Sequence, residues 1–169
     1  MTKLKASHST SARWKIKSLQ GGLEELYIRA DPREISDPEL ASDLARYLCI
    51  RVSGFLEQAT SIILKDFCEK NSWGLVQSFA HSWLEKSPNL SAEALCNLVR
   101  RFGKELGLEL ENFLATNELG TQLNSLIGIR NDVAHGRNQG ISREQAWTYY
   151  ETAQQIIEWL LEKFDSINS

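Results

Sequence analysis

Apolar residues recur every three or four positions in nearly every segment of the chain, and no segment alternates strictly between apolar and polar residues for long. A repeat near 3.6 residues is that of an amphipathic helix, whereas strict alternation is that of a strand. Only 3 prolines interrupt the chain, which leaves room for long helices. The pattern predicts an all-α fold, a compact bundle of five to six helices.

The first two helices are predicted from their ends. The first runs from near Ser11 to about Ala30, and we expect residues 1–10 to form a flexible tail. The second begins where the Asp37 side chain caps free backbone N–H groups and Pro38 takes the first helical position, where its missing donor costs nothing.

Gly54 lies inside the second helix, where a glycine costs up to about 1 kcal/mol relative to alanine, so it indicates a close helix crossing. A third, shorter helix ends near Asn89 and is marked by an apolar series, namely Trp73, Val76, Phe79, Ala80 and Trp83. Ser91 caps a fourth helix, whose apolar series is Leu95, Leu98, Val99, Phe102 and Leu106.

The last two helices are predicted at Leu119–His135 and at about residues 143–164, the latter opened by Ser142 and Gln145 in capping-box spacing. No linker long enough to separate domains occurs. Residues 11–169 are therefore expected to form a single domain.

Composition limits the classes of function. The 19 basic and 22 acidic residues give a net charge of −3, so binding of nucleic acid requires a local basic patch. The N-terminus lacks the apolar core of a signal peptide, and no stretch is apolar enough to span a membrane. We therefore expect a cytoplasmic protein. The 3 cysteines and 3 histidines are dispersed, which argues against a disulfide framework and a metal site. No cofactor is expected.

One cation interrupts the apolar stripe of the fifth helix. At 100° per residue, Arg130 lies about 20° from Leu119 and so in the middle of that stripe. A guanidinium placed there needs a buried anion or a crevice open to ligands. Asn131 and His135 lie together on one flank, and Gly136 can end the helix in the left-handed conformation.

The run Arg130–His135 at the end of the penultimate helix resembles the R-N-x-x-x-H signature of the HEPN domain superfamily. Residues Tyr47–Glu57 and His135–Asn138 resemble its RiboL-PSP-HEPN branch, and the similarity covers about residues 35–165. Many HEPN proteins are metal-independent endoribonucleases that act as homodimers with their motifs facing each other, and some are toxins or phage-defence effectors with an antitoxin partner. Others have lost catalysis and act in binding.

By this resemblance, Arg130, Asn131 and His135 are the expected catalytic residues. RNA supplies its own nucleophile, the 2′-OH, so cleavage needs proton transfer and a cation at the phosphate rather than a metal. His135 can relay the proton, Arg130 can hold two phosphate oxygens, and Asn131 can orient the phosphate or the imidazole. The products would be a 2′,3′-cyclic phosphate and a 5′-hydroxyl.

Neighbouring charged residues have two interpretations each. Arg137 and Arg143 either guide RNA phosphates towards the motif or belong to a solvated loop with a capping arginine. Glu57 either pairs with Arg130 or Arg51, as a support of the site, or is an ordinary surface carboxylate.

Two alternatives to a ribonuclease remain open. The first is a non-catalytic regulatory or binding module that holds a nucleotide or an RNA phosphate beside Arg130. The second is a helical interaction protein in which Arg130 is an internal tether.

Overall fold

Asp37 and Pro38 open the longest helix of the protein, as predicted. In the computed structural model, the Asp37 carboxylate accepts hydrogen bonds from the backbone N–H groups of Glu39 at 2.9 Å and Leu40 at 3.5 Å. The structure describes residues 5–85, 89–137 and 140–167, with side chains from residue 12 onward. These residues contain seven α-helices: α1 (Lys5–Arg29), α2 (Pro38–Asn71), α3 (Gly74–Leu84), α4 (Ala92–Arg100), α5 (Lys104–Ala115), α6 (Leu119–Ala134) and α7 (Arg143–Ile167).

The all-α prediction is confirmed, and the core lies between the two longest helices and their neighbours. α2 packs along α7, and the rings of Phe55 and Tyr150 meet edge to face at 5.9 Å. A second aromatic cluster joins Phe67, Phe102 and Phe164 farther along α2. α6 also packs on α2.

Two helices differ from their predicted bounds. α1 begins at Lys5 rather than near Ser11, because no proline or glycine interrupts the residues between them. The first four residues of the expected flexible tail lie outside the described chain.

The segment predicted as one fourth helix is two helices that turn at Gly103. α5 then continues to Ala115, in a segment where no helix was predicted. The close crossing expected at Gly54 occurs instead at Gly107. A Cβ atom there would lie 2.7 Å from the Cβ of Arg100, whereas one on Gly54 would meet only the end of the Gln58 side chain at 3.9 Å.

The apolar series that predicted α3 does not form a buried face. Leu84 is the one buried residue of that helix, while Phe79 is 70% exposed. α3 packs against α2 through its other side. No helix in the described residues combines the length and apolar composition that a membrane crossing requires.

Candidate functional site

Arg130 lies in the last turns of α6, on the side of the helix that faces the core. The preceding turn is buried through Leu123, Leu126 and Ile127, whereas Arg130 itself is half-buried. Its guanidinium Nη1 donates a hydrogen bond to the side-chain oxygen of Asn131 at 3.3 Å. The expected interruption of the apolar stripe by a cation is therefore present, at the margin of the core rather than within it.

Glu57 on α2 supplies negative charge close to Arg130. The carboxyl is half-buried, and its Oε1 atom is shielded from solvent without a hydrogen-bond partner among the described residues. Burial raises the pKa of this carboxyl, and the positive charge of Arg130 partly opposes that rise. Of the interpretations made from the sequence, an electrostatic partner of Arg130 fits these observations, and a solvated surface carboxylate does not.

Asn131 connects the end of α6 to the segment between α3 and α4. Its side-chain oxygen accepts a hydrogen bond from the Asn89 side-chain amide at 3.2 Å, in addition to the one from Arg130. Asn89 was not identified from the sequence, because a contact between residues 42 positions apart leaves no local signal. The two donors orient the Asn131 amide group.

His135 follows the last residue of α6 and is exposed. Its backbone N–H bonds to the carbonyl of Asn131 at 3.0 Å, and Gly136 adopts φ +71°, as predicted for the residue that ends the helix. The Arg137 N–H then reaches back to the carbonyl of Asp132 at 2.8 Å. These bonds hold the backbone of His135, while within the described chain its imidazole has no hydrogen-bond partner.

The flanking basic residues have different surroundings. Arg137 is 72% exposed and pairs with Asp132 at 3.1 Å, so it lies beside the motif and is open to solvent. Arg143 is 16% exposed and faces α1: its guanidinium stacks over the Tyr27 ring at 3.7 Å and donates to the Tyr27 carbonyl at 3.0 Å. Arg143 therefore connects α7 to α1 through its contacts with Tyr27.

Arg51, the other predicted supporting residue, is exposed and donates to the Tyr47 hydroxyl at 3.2 Å. It is six residues from Glu57 and therefore lies on a different side of α2. The structure brings Glu57 to the motif and leaves Arg51 on the surface. Asn138, which belongs to the matching segment after the motif, lies outside the described residues.

Cysteine and metal chemistry find no support in the described residues. No group of three or more His, Cys, Asp or Glu side chains there could hold a metal ion. The cysteines are free and buried, and burial raises the pKa of each thiol, that of Cys49 to about 12. A thiol in such surroundings is a poor nucleophile near neutral pH.

The candidate functional groups of this chain therefore lie at the end of α6. They are the Arg130 guanidinium, which bonds to the Asn131 amide, and the exposed imidazole of His135. A family model described as RiboL-PSP-HEPN matches residues 13–166, which is nearly the whole sequence. No curated protein and no solved structure matches the chain.

Proposed function

Since the chain belongs to the RiboL-PSP-HEPN family, whose HEPN domain is commonly that of a ribonuclease, we propose that it is a metal-independent endoribonuclease. One observation carries the proposal: the last turns of α6 and the residue that follows them carry both the Arg130 guanidinium, which bonds to Asn131, and the exposed imidazole of His135. A guanidinium is a ligand for a phosphate, and an imidazole is a side chain that can accept and donate a proton.

The proposed reaction needs only groups that the protein and the RNA supply. His135 removes the proton of a 2′-OH, and the 2′-oxygen attacks the adjacent phosphorus. The bond between phosphorus and the 5′-oxygen breaks, and that oxygen takes a proton from a second acid. Arg130 stabilises the additional negative charge on the phosphate oxygens in the transition state. The products are a 2′,3′-cyclic phosphate and a 5′-hydroxyl.

A homodimer would supply the second acid. In this arrangement the motifs of two copies face one RNA strand, His135 of one copy acts as the base, and His135 of the partner subunit acts as the acid. The exposure of the imidazole supports this division, because a side chain sealed inside the monomer could not reach a shared phosphate.

Asn131, Glu57 and Arg137 have supporting roles in the proposal. Asn131 orients Arg130 through their hydrogen bond, and Glu57 balances part of the charge of Arg130 while no phosphate is bound. Arg137 is the exposed cation nearest to His135 in the sequence and attracts the RNA backbone in a manner that weakens with salt.

The decisive experiment incubates the purified protein with a panel of RNAs, including tRNA, in EDTA. We expect cleavage by the wild type and a loss of at least about 100-fold in His135→Ala, which removes an acid–base group, and in Arg130→Ala, which removes the stabilising charge at the phosphate. His81→Ala and Arg29→Ala remove the same side chains outside the motif and should retain activity.

The chemical groups at the ends of the cleaved RNA provide a second test of the proposed reaction. Cleavage by the 2′-OH leaves a 5′-hydroxyl that a polynucleotide kinase labels directly, and an all-deoxy strand of the same sequence stays intact. Intact RNA across the panel, or undiminished cleavage by His135→Ala, would overturn the proposal. RNA binding that Arg130→Ala abolishes, without cleavage by the wild type, would identify a non-catalytic binding module instead.

We extend the proposal to a toxin or phage-defence effector, in keeping with the uses of the family. Free ribonuclease activity damages its own cell, so such a protein needs an antitoxin partner that covers the motif. Expression of the wild type should arrest growth, whereas His135→Ala expressed to the same level should not. Equal growth of both strains would contradict this role.

A further inference from the structure

One side of α3 presents large apolar side chains to solvent. We name this surface the α3 face and define it by five residues: Trp73 (84% exposed), Leu75 (90%), Val76 (67%), Phe79 (70%) and Trp83 (37%). At 100° per residue, the four within the helix lie inside an arc of about 100°. The buried residue Leu84 lies outside this arc, about 130° from its centre.

The α3 face reaches the upper end of the apolar patch size that a monomer exposes. A large apolar side chain presents about 150–250 Å² when fully exposed, so the face adds up to about 600 Å². The largest apolar patch on a typical monomer is about 300–600 Å² and often has a function, so a patch of this size is a candidate interaction site. The other large exposed hydrophobic residues lie on α1, α2, α5 and α7, away from α3 in the sequence.

α3 also has little to stabilise it within one copy of the chain. It has 11 residues and buries Leu84 alone, although its composition is strongly apolar. Isolated helices of this length are marginal in water, and helices in proteins are stabilised mainly by packing of an apolar face. Here that face points away from the protein.

The charge of α3 indicates which kind of partner could bind to the α3 face. α3 itself contains no Lys, Arg, Asp or Glu. The Arg101 guanidinium lies over the Trp83 ring, at 4.1 Å from the ring centroid, so a cation borders the C-terminal end of the face, while the part formed by Leu75, Val76 and Phe79 meets its copy without like-charge repulsion within the helix. A helix that lies on a membrane is rich in Lys and Arg on its polar side, which α3 is not. Two copies of the face would bury about 1,200 Å² together, which reaches the range of specific interfaces.

We infer that the α3 face is the surface on which a second copy of this chain docks. The contact is isologous, with α3 of one copy against α3 of the other around a two-fold axis. Its relation to the motif rests on the proposed function. Asn89 bonds to Asn131 of the motif and follows Leu84, the last residue of α3, by five residues. The Cα atoms of Leu84 and Asn89 are therefore at most about 18 Å apart.

Sedimentation of the purified protein over a dilution series tests the inference. The wild type should be a dimer that dissociates on dilution, and Leu75→Glu and Phe79→Glu should each weaken dimerisation by at least about 30-fold, the loss expected at an interface hot spot. Ile28→Glu introduces the same charge at a residue on α1 that is 68% exposed, and it should leave the dimer unchanged.

Two further variants separate lost docking from lost folding. Phe79→Gln removes the apolar ring without adding charge, and it should give a folded monomer with the helical circular dichroism of the wild type. Mixing Phe79→Glu with Phe79→Lys should restore a dimer that neither forms alone, because an isologous contact brings the two helices together.

A wild type that stays monomeric at all concentrations, or a dimer that the α3 variants leave intact, would overturn the inference. Binding of the monomer to lipid vesicles through the same residues would also overturn it. The proposed ribonuclease is tested separately by cleavage: a dimer without cleavage contradicts only the proposed function, and cleavage by a monomer contradicts the inference and the two-subunit mechanism.

Discussion

Arg130 donates a hydrogen bond to the side-chain oxygen of Asn131, the next residue along α6, at 3.3 Å. Adjacent residues on a helix point about 100° apart, so this bond bends the long arginine side chain sideways towards its neighbour. The same oxygen accepts from Asn89. The Asn131 amide is thereby fixed from two sides, and it limits the positions that the guanidinium can take.

The variant Asn131→Asp keeps the hydrogen bond that orients Arg130 and changes only the charge of the site. The carboxylate still accepts both hydrogen bonds, so we expect unchanged or slightly higher thermal stability. It also places a negative charge where the phosphate would bind, and we expect at least about tenfold weaker RNA binding, as measured by fluorescence anisotropy.

Asn97→Asp is the matched control for this variant. Asn97 accepts a hydrogen bond from Arg100 at 2.8 Å on the exposed side of α4, so the substitution adds the same charge beside another arginine. Equal losses of RNA binding in both variants would mean that only the net charge matters. No loss in Asn131→Asp would remove Asn131 from the RNA site.

Glu57→Gln tests the electrostatics beneath Arg130. Because burial raises the pKa of Glu57 in the folded protein, the folded state binds this proton more tightly than the unfolded state does. Protonated Glu57 therefore contributes fully to the free energy of unfolding below pH 4.5, its ordinary pKa. This contribution is lost as the pH rises through the higher pKa that Glu57 has in the folded protein. We therefore expect Glu57→Gln to have a larger free energy of unfolding than the wild type at neutral pH, with the difference vanishing in acid.

Urea unfolding at a series of pH values measures this difference. Glu25→Gln, at an exposed position of α1, provides the control and should follow the wild type at every pH. A Glu57→Gln protein that is less stable at neutral pH would show that attraction to Arg130 outweighs the cost of burying the carboxylate.

Arg143→Ala should lower the free energy of unfolding by about 2 kcal/mol, because it removes the stacking over Tyr27 and a hydrogen bond to the Tyr27 carbonyl. Arg137→Ala removes an exposed ion pair and should cost less than about 0.5 kcal/mol. Lysine cannot both stack and donate in the same geometry, so Arg143→Lys should lose most of this stability.

For RNA binding, we expect the two alanine variants to rank in the opposite order from their stabilities. At low salt, Arg137→Ala should bind RNA more weakly than Arg143→Ala once both are measured below their unfolding temperatures. If Arg143→Ala keeps full stability but loses RNA binding, the original interpretation of Arg143 as an RNA-guiding residue is correct.

Features that depend on a few adjacent residues were predictable from the sequence. The start of α2 at Asp37 and Pro38, and the end of α6 at Gly136, follow from hydrogen bonding and backbone conformation within one turn. The interruption of the α6 stripe by Arg130 follows from helical periodicity alone.

Features that depend on the packing partner were not predictable. The periodicity of α3 indicated an apolar stripe, but not whether the protein itself covers it. The contact of Asn89 with Asn131 and the engagement of Arg143 by Tyr27 join distant parts of the chain. The division between α4 and α5 was missed because the apolar series runs through Gly103 without a break in period.

Gly107→Ala and Gly54→Ala should change stability in opposite directions. A methyl group on Gly107 would lie 2.9 Å from the Cα of Arg100 as well as 2.7 Å from its Cβ, so α4 and α5 must move apart. Overpacking of this kind costs about 1–3 kcal/mol. A methyl group on Gly54 meets no such contact, and alanine in mid-helix stabilises by up to about 1 kcal/mol. Chemical denaturation measures both changes, and a destabilised Gly54→Ala would contradict the open surroundings of Gly54.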